Sequence, residues 1–321
     1  MPKVDFLVII PTHNRVIPLR AAIGSADAQT GVSKTIIVAD DHPEATAHDV
    51  VRDFPEAIYM RNPVPTGGWP GRVRNLAFEQ SRLMGIEADY VHFLDDDDTA
   101  PPNHYATIKQ TFMEHPNIGV VFGVLRPFCA FSASPEVRQR QELQLQSIRQ
   151  WRSTATRFPW LYQRLGTRCP RLAKWLLDLH ARFGSEMFLC SGGSIRYQSV
   201  IEIGGFPDIR ITEDFVFFTQ AIRRYGGWFL ERETAGYGVG DSGAMWNPLD
   251  QDDVAKAAHS QEWSAQLTLR QKALKAEMGT ARFYISKIAF RLGKKVITSL
   301  VIPTLDRRGY FRDLDRLIGL S

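Results

Sequence analysis

Val91 to Pro102 reads VHFLDDDDTAPP, and the reading of this stretch decides how the rest of the chain is organised. An apolar run, Tyr90 to Leu94, has the length and composition of a short buried strand, and it delivers the chain straight into four carboxylates, Asp95 to Asp98. Pro101 with Pro102 then opens a new element. Four adjacent anions repel one another, so the run is either a solvated turn or a place where a cation is held.

Working outward, similar β-rich apolar runs occur at Phe6 to Ile10, Thr35 to Ala39, Ala57 to Arg61 and Gly119 to Leu125, and the segments Val16 to Gln29 and Arg72 to Gly85 between them have helical spacing. This alternation predicts an α/β fold, a mostly parallel sheet flanked by helices. In such sheets ligands collect beyond the carboxyl ends of the strands. Four segments follow strands directly and form a candidate constellation: PTHNR (Pro11 to Arg15), DDHP (Asp40 to Pro43), NPVPTGGWPGRVRN (Asn62 to Asn75) and DDDD (Asp95 to Asp98).

Each segment has a chemistry. Carboxylates one residue apart at a strand end, such as Asp95 and Asp97, can hold a hard divalent cation that keeps positions open for phosphate oxygens. Asp40 and Asp41 can accept hydrogen bonds from a base N–H or ribose hydroxyls, or serve as caps of an ordinary turn. Gly67, Gly68 and Gly71 precede a helix opening with Arg72 and Arg74, so backbone can approach a ligand while a guanidinium faces it. The segment is neither a Walker loop nor a GxGxxG fingerprint. Further on, ITEDFVFFTQAIRR places Glu213 and Asp214 at the start of a helix whose Phe215, Phe218 and Ile222 can face the core. Capping explains one of these two carboxylates, and the other can take the proton from an attacking hydroxyl.

The chain has 321 residues, 44% of them hydrophobic, enough for one large domain or two modest ones. A net charge of +4 is too mild to announce a nucleic-acid partner. The charge is uneven, however. Residues 126–182 carry eleven basic side chains against three acidic ones, and residues 282–321 carry nine against three, which leaves the remainder acidic. Cys129, Cys169 and Cys190 have no metal-like spacing and imply no disulfide framework, as expected in a reduced compartment. The amino-terminal FLVII is too short for a signal core, and no apolar run approaches the ~18 residues of a membrane span. A cytoplasmic protein, soluble or peripheral at the inner face of the membrane, is the expectation.

In order, VIIPTHNR, IIVADD, GGWPGRVRNLA, HFLDDDD, GGF and EDFVFFTQAIRRYG resemble an inverting glycosyltransferase of family 2 on the nucleotide-sugar-binding GT-A fold, over roughly Val4 to Ser242. The resemblance implies that Pro11, Thr12 and Arg15 line a nucleotide pocket with Gly68 and Asp96, that Asp41 or Asp40 binds the base, and that Arg74 reaches the nucleotide. It makes Asp95 and Asp97 a D-x-D pair for Mn²⁺ or Mg²⁺, with Asp97 the direct ligand, Asp214 the general base, and Glu213 its support or an acceptor contact. The implied partners are a nucleotide-diphosphate sugar, first of all a UDP-sugar, and a glycan or lipid-linked acceptor, with no nucleic acid and with a homo-oligomer as an option. Where the family carries a histidine after the base helix, GYGVGDS has Gly240, and Asp241 and His259 are the candidate substitutes as third metal contact. No Gln-x-x-Arg-Trp signature of processive synthases occurs, so a single sugar addition is expected.

On this reading residues 1–125 form the nucleotide-sugar half, 126–182 a basic helical insertion, 183–250 the acceptor-side half with the base, and 251–321 a helical extension. A sugar-1-phosphate nucleotidyltransferase could use a similar sheet and metal, though it would be expected to carry a glycine-rich activation loop near the amino terminus. A noncatalytic polyanion-binding protein would use the basic, tryptophan-bearing insertion but leaves the ordered carboxylates without a purpose. Within the extension, ARFYISKIAFRLGKKVITSLVIP (Ala281 to Pro303) mixes Phe283, Ile285, Ile288, Phe290, Leu292, Val296, Ile297 and Leu300 with Arg282, Lys287, Arg291, Lys294 and Lys295. That pattern predicts either a helix lying in an anionic membrane interface or one packed on the catalytic domain or a second subunit.

Overall fold

The computed structural model describes residues 3–129, 135–183, 190–210, 212–239, 261, 264–265, 267–269, 271–272, 274–276, 278–318 and 320. Among the described residues seven strands form one sheet: β1 (Val4–Thr12), β2 (Lys34–Asp40), β3 (Ala57–Arg61), β4 (Ala88–Phe93), β5 (Val120–Cys129), β6 (Gly193–Arg196) and β7 (Gly227–Val239). Their order is β3-β2-β1-β4-β6-β5-β7, with β6 antiparallel to both neighbours and every other pair parallel.

The central strands are largely apolar, with His92 of β4 a buried exception, because both of their faces are covered. In β1, Phe6, Val8 and Ile10 enter one core with Leu19 and Ile23 of α1 (Val16–Asp27) and with Tyr105, Ile108 and Phe112 of a helix that follows β4. Leu7 and Ile9 point to the other face, where they join Val73, Ala77 and Phe78 of a helix that follows β3. Strand order reverses between β1 and β4, since β2 and β3 lie on one side of β1 and β4 lies on the other. This switch point opens a crevice at the carboxyl ends of β1 and β4. The Asp95 run leaves β4 there.

The helices include α1, α2 (His48–Val51), α3 (Pro70–Leu83), α4 (His104–Glu114), α5 (Pro135–Gly166), α6 (Pro170–Phe183), α7 (Tyr197–Ile203), α8 (Glu213–Tyr225), α9 (Thr280–Val296), α10 (Ile302–Arg307) and α11 (Arg312–Ile318), with a π turn over Ile297–Val301; the described residues between 261 and 278 are helical as well. Strand β5 runs past Leu125 to Cys129, so the stretch from Arg126 begins inside the sheet. Residues of α5, Phe158, Trp160, Leu161 and Tyr162, share a core with Val120, Phe122 and Phe229 of the sheet and with Phe311, Leu314 and Ile318 at the end of the chain. Arg157 of α5 fastens this contact by donating to both oxygens of Asp315, at 3.0 and 2.9 Å. The basic helices therefore pack as part of the sheet's β5–β7 end.

In α9 one apolar face packs and the other does not. Phe283 and Phe290 lie against Phe183, with ring centroids 5.7 and 6.0 Å away, and Phe290 also meets His180 at 5.5 Å. Ile285, Ile288, Leu292 and Val296 point outward. Among the described residues no helix is long and apolar enough to cross a membrane.

Candidate functional site

Two arginines tie the acidic run to the rest of the crevice. Asn14, in the left-handed region at φ 58°, reverses the chain after β1, and Arg15 then faces β4. Its Nη1 donates to Asp96 Oδ1 and to Asp97 Oδ2, both at 2.8 Å, while Thr12 Oγ1 donates to Asp96 Oδ2 at 2.7 Å. The second arginine, Arg74 of α3, is buried; it donates through Nη2 to Asp95 Oδ1 at 2.5 Å and through Nη1 to Glu213 Oε1 at 2.8 Å. Arg74 thus joins strand β4 to helix α8, and its guanidinium is turned into the network instead of toward solvent. Gly71, one turn earlier, permits this closeness, because a Cβ there would stand 2.8 Å from Glu213 Cγ.

The four aspartates alternate in environment. Side-chain exposure is 32% at Asp95, 7% at Asp96 and 17% at Asp97, and Asp98 is buried. The run forms a turn closed by the Asp98 N–H on the Asp95 carbonyl at 3.1 Å, and in it Asp95 and Asp97 reach the crevice while Asp96 and Asp98 are buried. Asp98 Oδ1 accepts the N–H of Gly238 at 2.8 Å, and the next residue, Thr99, pairs with Gly236 through backbone bonds of 3.0 and 2.8 Å. Ser191 Oγ accepts the N–H of Asp95 at 3.0 Å. These contacts lock the acidic run between β4 and β7. Neither Ser191 nor the anchoring role of Asp98 is readable from sequence; the only signal is the run of small residues SGGS after Cys190.

Burial and crowding make these carboxyl groups weaker acids. Asp97 is pushed up to about 7 by burial and by Asp96 and Asp95, against the pull of Arg15. Glu213 is likewise pushed up to about 7, by burial and by Asp214, against Arg74. Thr212 occupies the left-handed region at φ 66°, a strained conformation for a β-branched residue, and it starts α8 so that Glu213 is buried and Asp214 half-buried. Asp214 Oδ1 accepts the N–H of Phe215 at 2.7 Å.

Asp40 and Asp41 serve the neighbouring loops. Asp40 accepts N–H groups of His42 and Ala47, both at 2.9 Å, and the hydroxyl of Tyr59 at 3.2 Å. Asp41 Oδ1 accepts from Asn62 and from the Thr66 N–H at 2.7 and 2.8 Å, and its Oδ2 accepts from Thr66 Oγ1 and the Gly68 N–H at 2.7 and 3.1 Å. The four acceptor positions of this carboxylate are therefore taken by the glycine loop it folds. Gly67 and Gly68, at φ 71° and 85°, give the loop a turn that L side chains resist. Pro11 is buried on β1 beside Ala39, and Arg72 stacks on Trp69 and pairs with Asp208.

A divalent cation is consistent with this donor set. Six carboxyl groups, Asp95 to Asp98 with Glu213 and Asp214, stand against two guanidinium groups. The two aspartates that reach the crevice offer the hard oxygens preferred by Mn²⁺ and Mg²⁺. Among the described residues no three His, Cys, Asp or Glu side chains are grouped to hold a metal ion, so phosphate and water oxygens would have to complete the shell. Gly240, which stands where the family carries a histidine, and the candidate third contacts Asp241 and His259 lie outside the described residues. Beyond Thr99 a cavity of about 740 Å³ opens, lined among others by Arg126, Phe128, Glu142, Arg149 and Glu233.

A family model described as Glycosyl transferase family 2 matches residues 7–173, just over half of the chain. The chain belongs to glycosyl transferase family 2. Its matched region holds the arginines and aspartates of the crevice, while Glu213 and Asp214 lie beyond it. An uncharacterized glycosyltransferase of Haemophilus influenzae is 28% identical over 116 residues, which are 36% of this chain and 37% of that protein. Among solved structures, S. aureus TarS 1-349 in complex with UDP-GlcNAc matches with a TM-score of 0.54 at 15% identity, over 92% of this chain and 74% of that one. Mannosyltransferase PcManGT from Pyrobaculum calidifontis, in complex with GDP-Man and Mn²⁺, matches with a TM-score of 0.51 at 13% identity, over 100% of this family 2 chain and 85% of that one. The sheet and its flanking helices are the GT-A fold of these glycosyltransferases.

Proposed function

We propose that this family 2 protein transfers a sugar from a nucleotide-diphosphate sugar, first of all a UDP-sugar, to a hydroxyl of a glycan or lipid-linked acceptor in polysaccharide biosynthesis. The observation that carries the reading is the joined network of Thr12, Arg15, Arg74, Asp95, Asp96, Asp97 and Glu213 at the switch point of the sheet. The bound nucleotide sugars of the two structural neighbours support the same donor class.

The donor lies across the carboxyl ends of β1 and β4, against Thr12, Arg15 and the loop at Gly68. Asp95 and Asp97 would hold Mn²⁺ or Mg²⁺, whose charge offsets that developing on the departing nucleoside diphosphate. Arg15 keeps Asp97 turned to the crevice, and Arg74 keeps Asp95 and Glu213 at a fixed separation. Asp214, half-buried beside them, takes the proton from the acceptor hydroxyl as its oxygen attacks the anomeric carbon opposite the leaving group. One displacement inverts the configuration. Glu213, paired with Arg74, positions α8 and with it the base. The cavity beyond Thr99 is the acceptor's approach.

Incubation with a panel of nucleotide sugars and Mn²⁺ tests the proposal. Release of nucleoside diphosphate with an inverted anomeric product is expected, and release of pyrophosphate would instead assign a nucleotidyltransferase. Asp97→Ala is expected to remove metal-dependent donor binding in calorimetry while leaving the melting temperature unchanged or raised, because one clustered anion is gone. Wild-type binding by this variant would overturn the metal assignment.

A further inference from the structure

We propose that α9 docks in the interface of an anionic lipid bilayer, lying in its plane with one face already packed on the protein. Phe283 and Phe290 mark the side that meets Phe183 of α6, and Ile297 is buried in the main core. On the opposite side Ile285, Ile288, Leu292, Val296 and Leu300 are between 51% and 68% exposed and follow one another at three- or four-residue spacing, the repeat of a single helix face. The π turn over Ile297–Val301 has more residues per turn than an α-helix and keeps Leu300 in line with Val296. At 1.5 Å per residue this strip is roughly 20 Å long.

Scattered exposed aliphatics are ordinary, but a continuous strip on one helix is not. Its surroundings select the occupant. From Met278 to Leu305 there is no acidic residue, while Arg282, Lys287, Arg291, Lys294 and Lys295 lie within it. A second copy of the chain seated on the strip would bring five cations against five. A membrane surface with anionic headgroups supplies the opposite sign, and its acyl boundary accepts the aliphatic strip. Lysine and arginine stems can lie along the apolar surface while their charged ends reach the headgroups. The helix is not a membrane span, which leaves the in-plane arrangement.

The test is sedimentation of the full chain with vesicles of phosphatidylcholine, with or without phosphatidylglycerol. Binding to the phosphatidylglycerol vesicles at low salt, release by added salt and no binding to phosphatidylcholine alone are expected. Replacing Ile288 and Leu292 together by Asp should abolish binding, and neutralising Arg291 and Lys295 should weaken it about fivefold for each residue. Both sites are at the surface, so unchanged melting temperatures are expected and guard against loss of fold. Nucleotide-sugar affinity should also be unchanged, which separates failure here from failure of the catalytic reading. The proposal is overturned by absence of binding at low salt, by equal binding to neutral vesicles, or by full binding of the Asp variant. It is equally overturned if that variant only converts a dimer to a monomer in analytical ultracentrifugation, since a second copy would then be what covers the strip.

Discussion

The crevice at β1 and β4 and the outer face of α9 break the usual distribution of residues in opposite directions. In the crevice Arg74, Asp96, Asp98 and Glu213 are charged groups withdrawn from water; on α9, Ile285, Ile288, Leu292, Val296 and Leu300 are aliphatic groups left in it. Between the two regions the sheet follows the rule, with Leu7, Ile9, Val91 and Phe93 fully enclosed. Buried carboxylates and guanidinium groups cost several kcal/mol each in lost hydration, and an aliphatic side chain left exposed forgoes about 1.5–3 kcal/mol. Neither departure helps the isolated fold. Each makes sense where something from outside completes it, a cation with a phosphorylated donor in the first case and a lipid surface in the second.

The comparison breaks most visibly at Arg74. Arg74→Met leaves the buried Glu213 and the half-buried Asp95 without their shared partner, and urea unfolding should show a loss of about 3–5 kcal/mol, chiefly from Glu213. Adding Glu213→Gln removes one of the stranded charges and should restore part of that loss. Fully additive costs would mean that the two side chains are not coupled through the bridge seen here.

A second effect sharpens the buried side of the comparison. His92 and His104 lie beneath the crevice beside Tyr105, and burial pushes His92 down to about 3 and His104 well below the ordinary histidine range. Each is neutral in the folded chain and titrates near 6.5 once unfolded. Their contribution to stability is therefore complete above pH 6.5 and is lost as pH falls below it, by up to about 1.4 kcal/mol per pH unit for each histidine. Asp97 and Glu213, weaker acids here than ordinary carboxylates, act in the opposite sense, since their stabilisation is present at low pH and lost as pH rises toward about 7. Comparing thermal unfolding of wild type and His104→Leu between pH 6.5 and 5 isolates the histidine term. The variant should lose less stability on acidification, and parallel curves would count against a neutral buried His104.

The smallest effect concerns α9. Ile288→Ser in the absence of lipid should change stability by no more than about 0.5 kcal/mol, whereas Ile9→Ala in β1 should cost about 2–5 kcal/mol. A large loss at Ile288, measured by the same urea titration, would mean that the strip is already covered in the free protein.

Much of this contrast is legible in the chain itself, for a physical reason. Strands buried on both faces are mostly apolar, so Phe6 to Ile10 and Tyr90 to Leu94, the latter interrupted only by His92, declare themselves, and the polar segments after them fall at the carboxyl ends where the crevice forms. The amphipathic repeat of α9 is equally local. What depends on distant partners is not legible. Arg74 and Glu213 lie 139 residues apart, so the arginine reads as a ligand contact although it acts here as a bridge. Asp41 reads as a base contact, while its oxygens are held by a loop up to 27 residues further on. The four-residue β6 is too short to show periodicity, and its antiparallel placement between β4 and β5 follows from tertiary packing. Within DDDD the residue types are identical, and only the turn they form after β4 separates Asp95 and Asp97 from the buried Asp96 and Asp98.

In the proposed reaction α8 brings a proton acceptor, Asp214, beside the donor. Once a nucleotide sugar and acceptor have been found, single-turnover transfer by Asp214→Asn tests this directly, with donor affinity measured in parallel by calorimetry. Donor affinity should stay within a few-fold of wild type, while the transfer step should slow by roughly 10²–10⁴-fold, the range for loss of a general base. Transfer at the wild-type rate would contradict the account and return Asp214 to the role of a residue that caps α8.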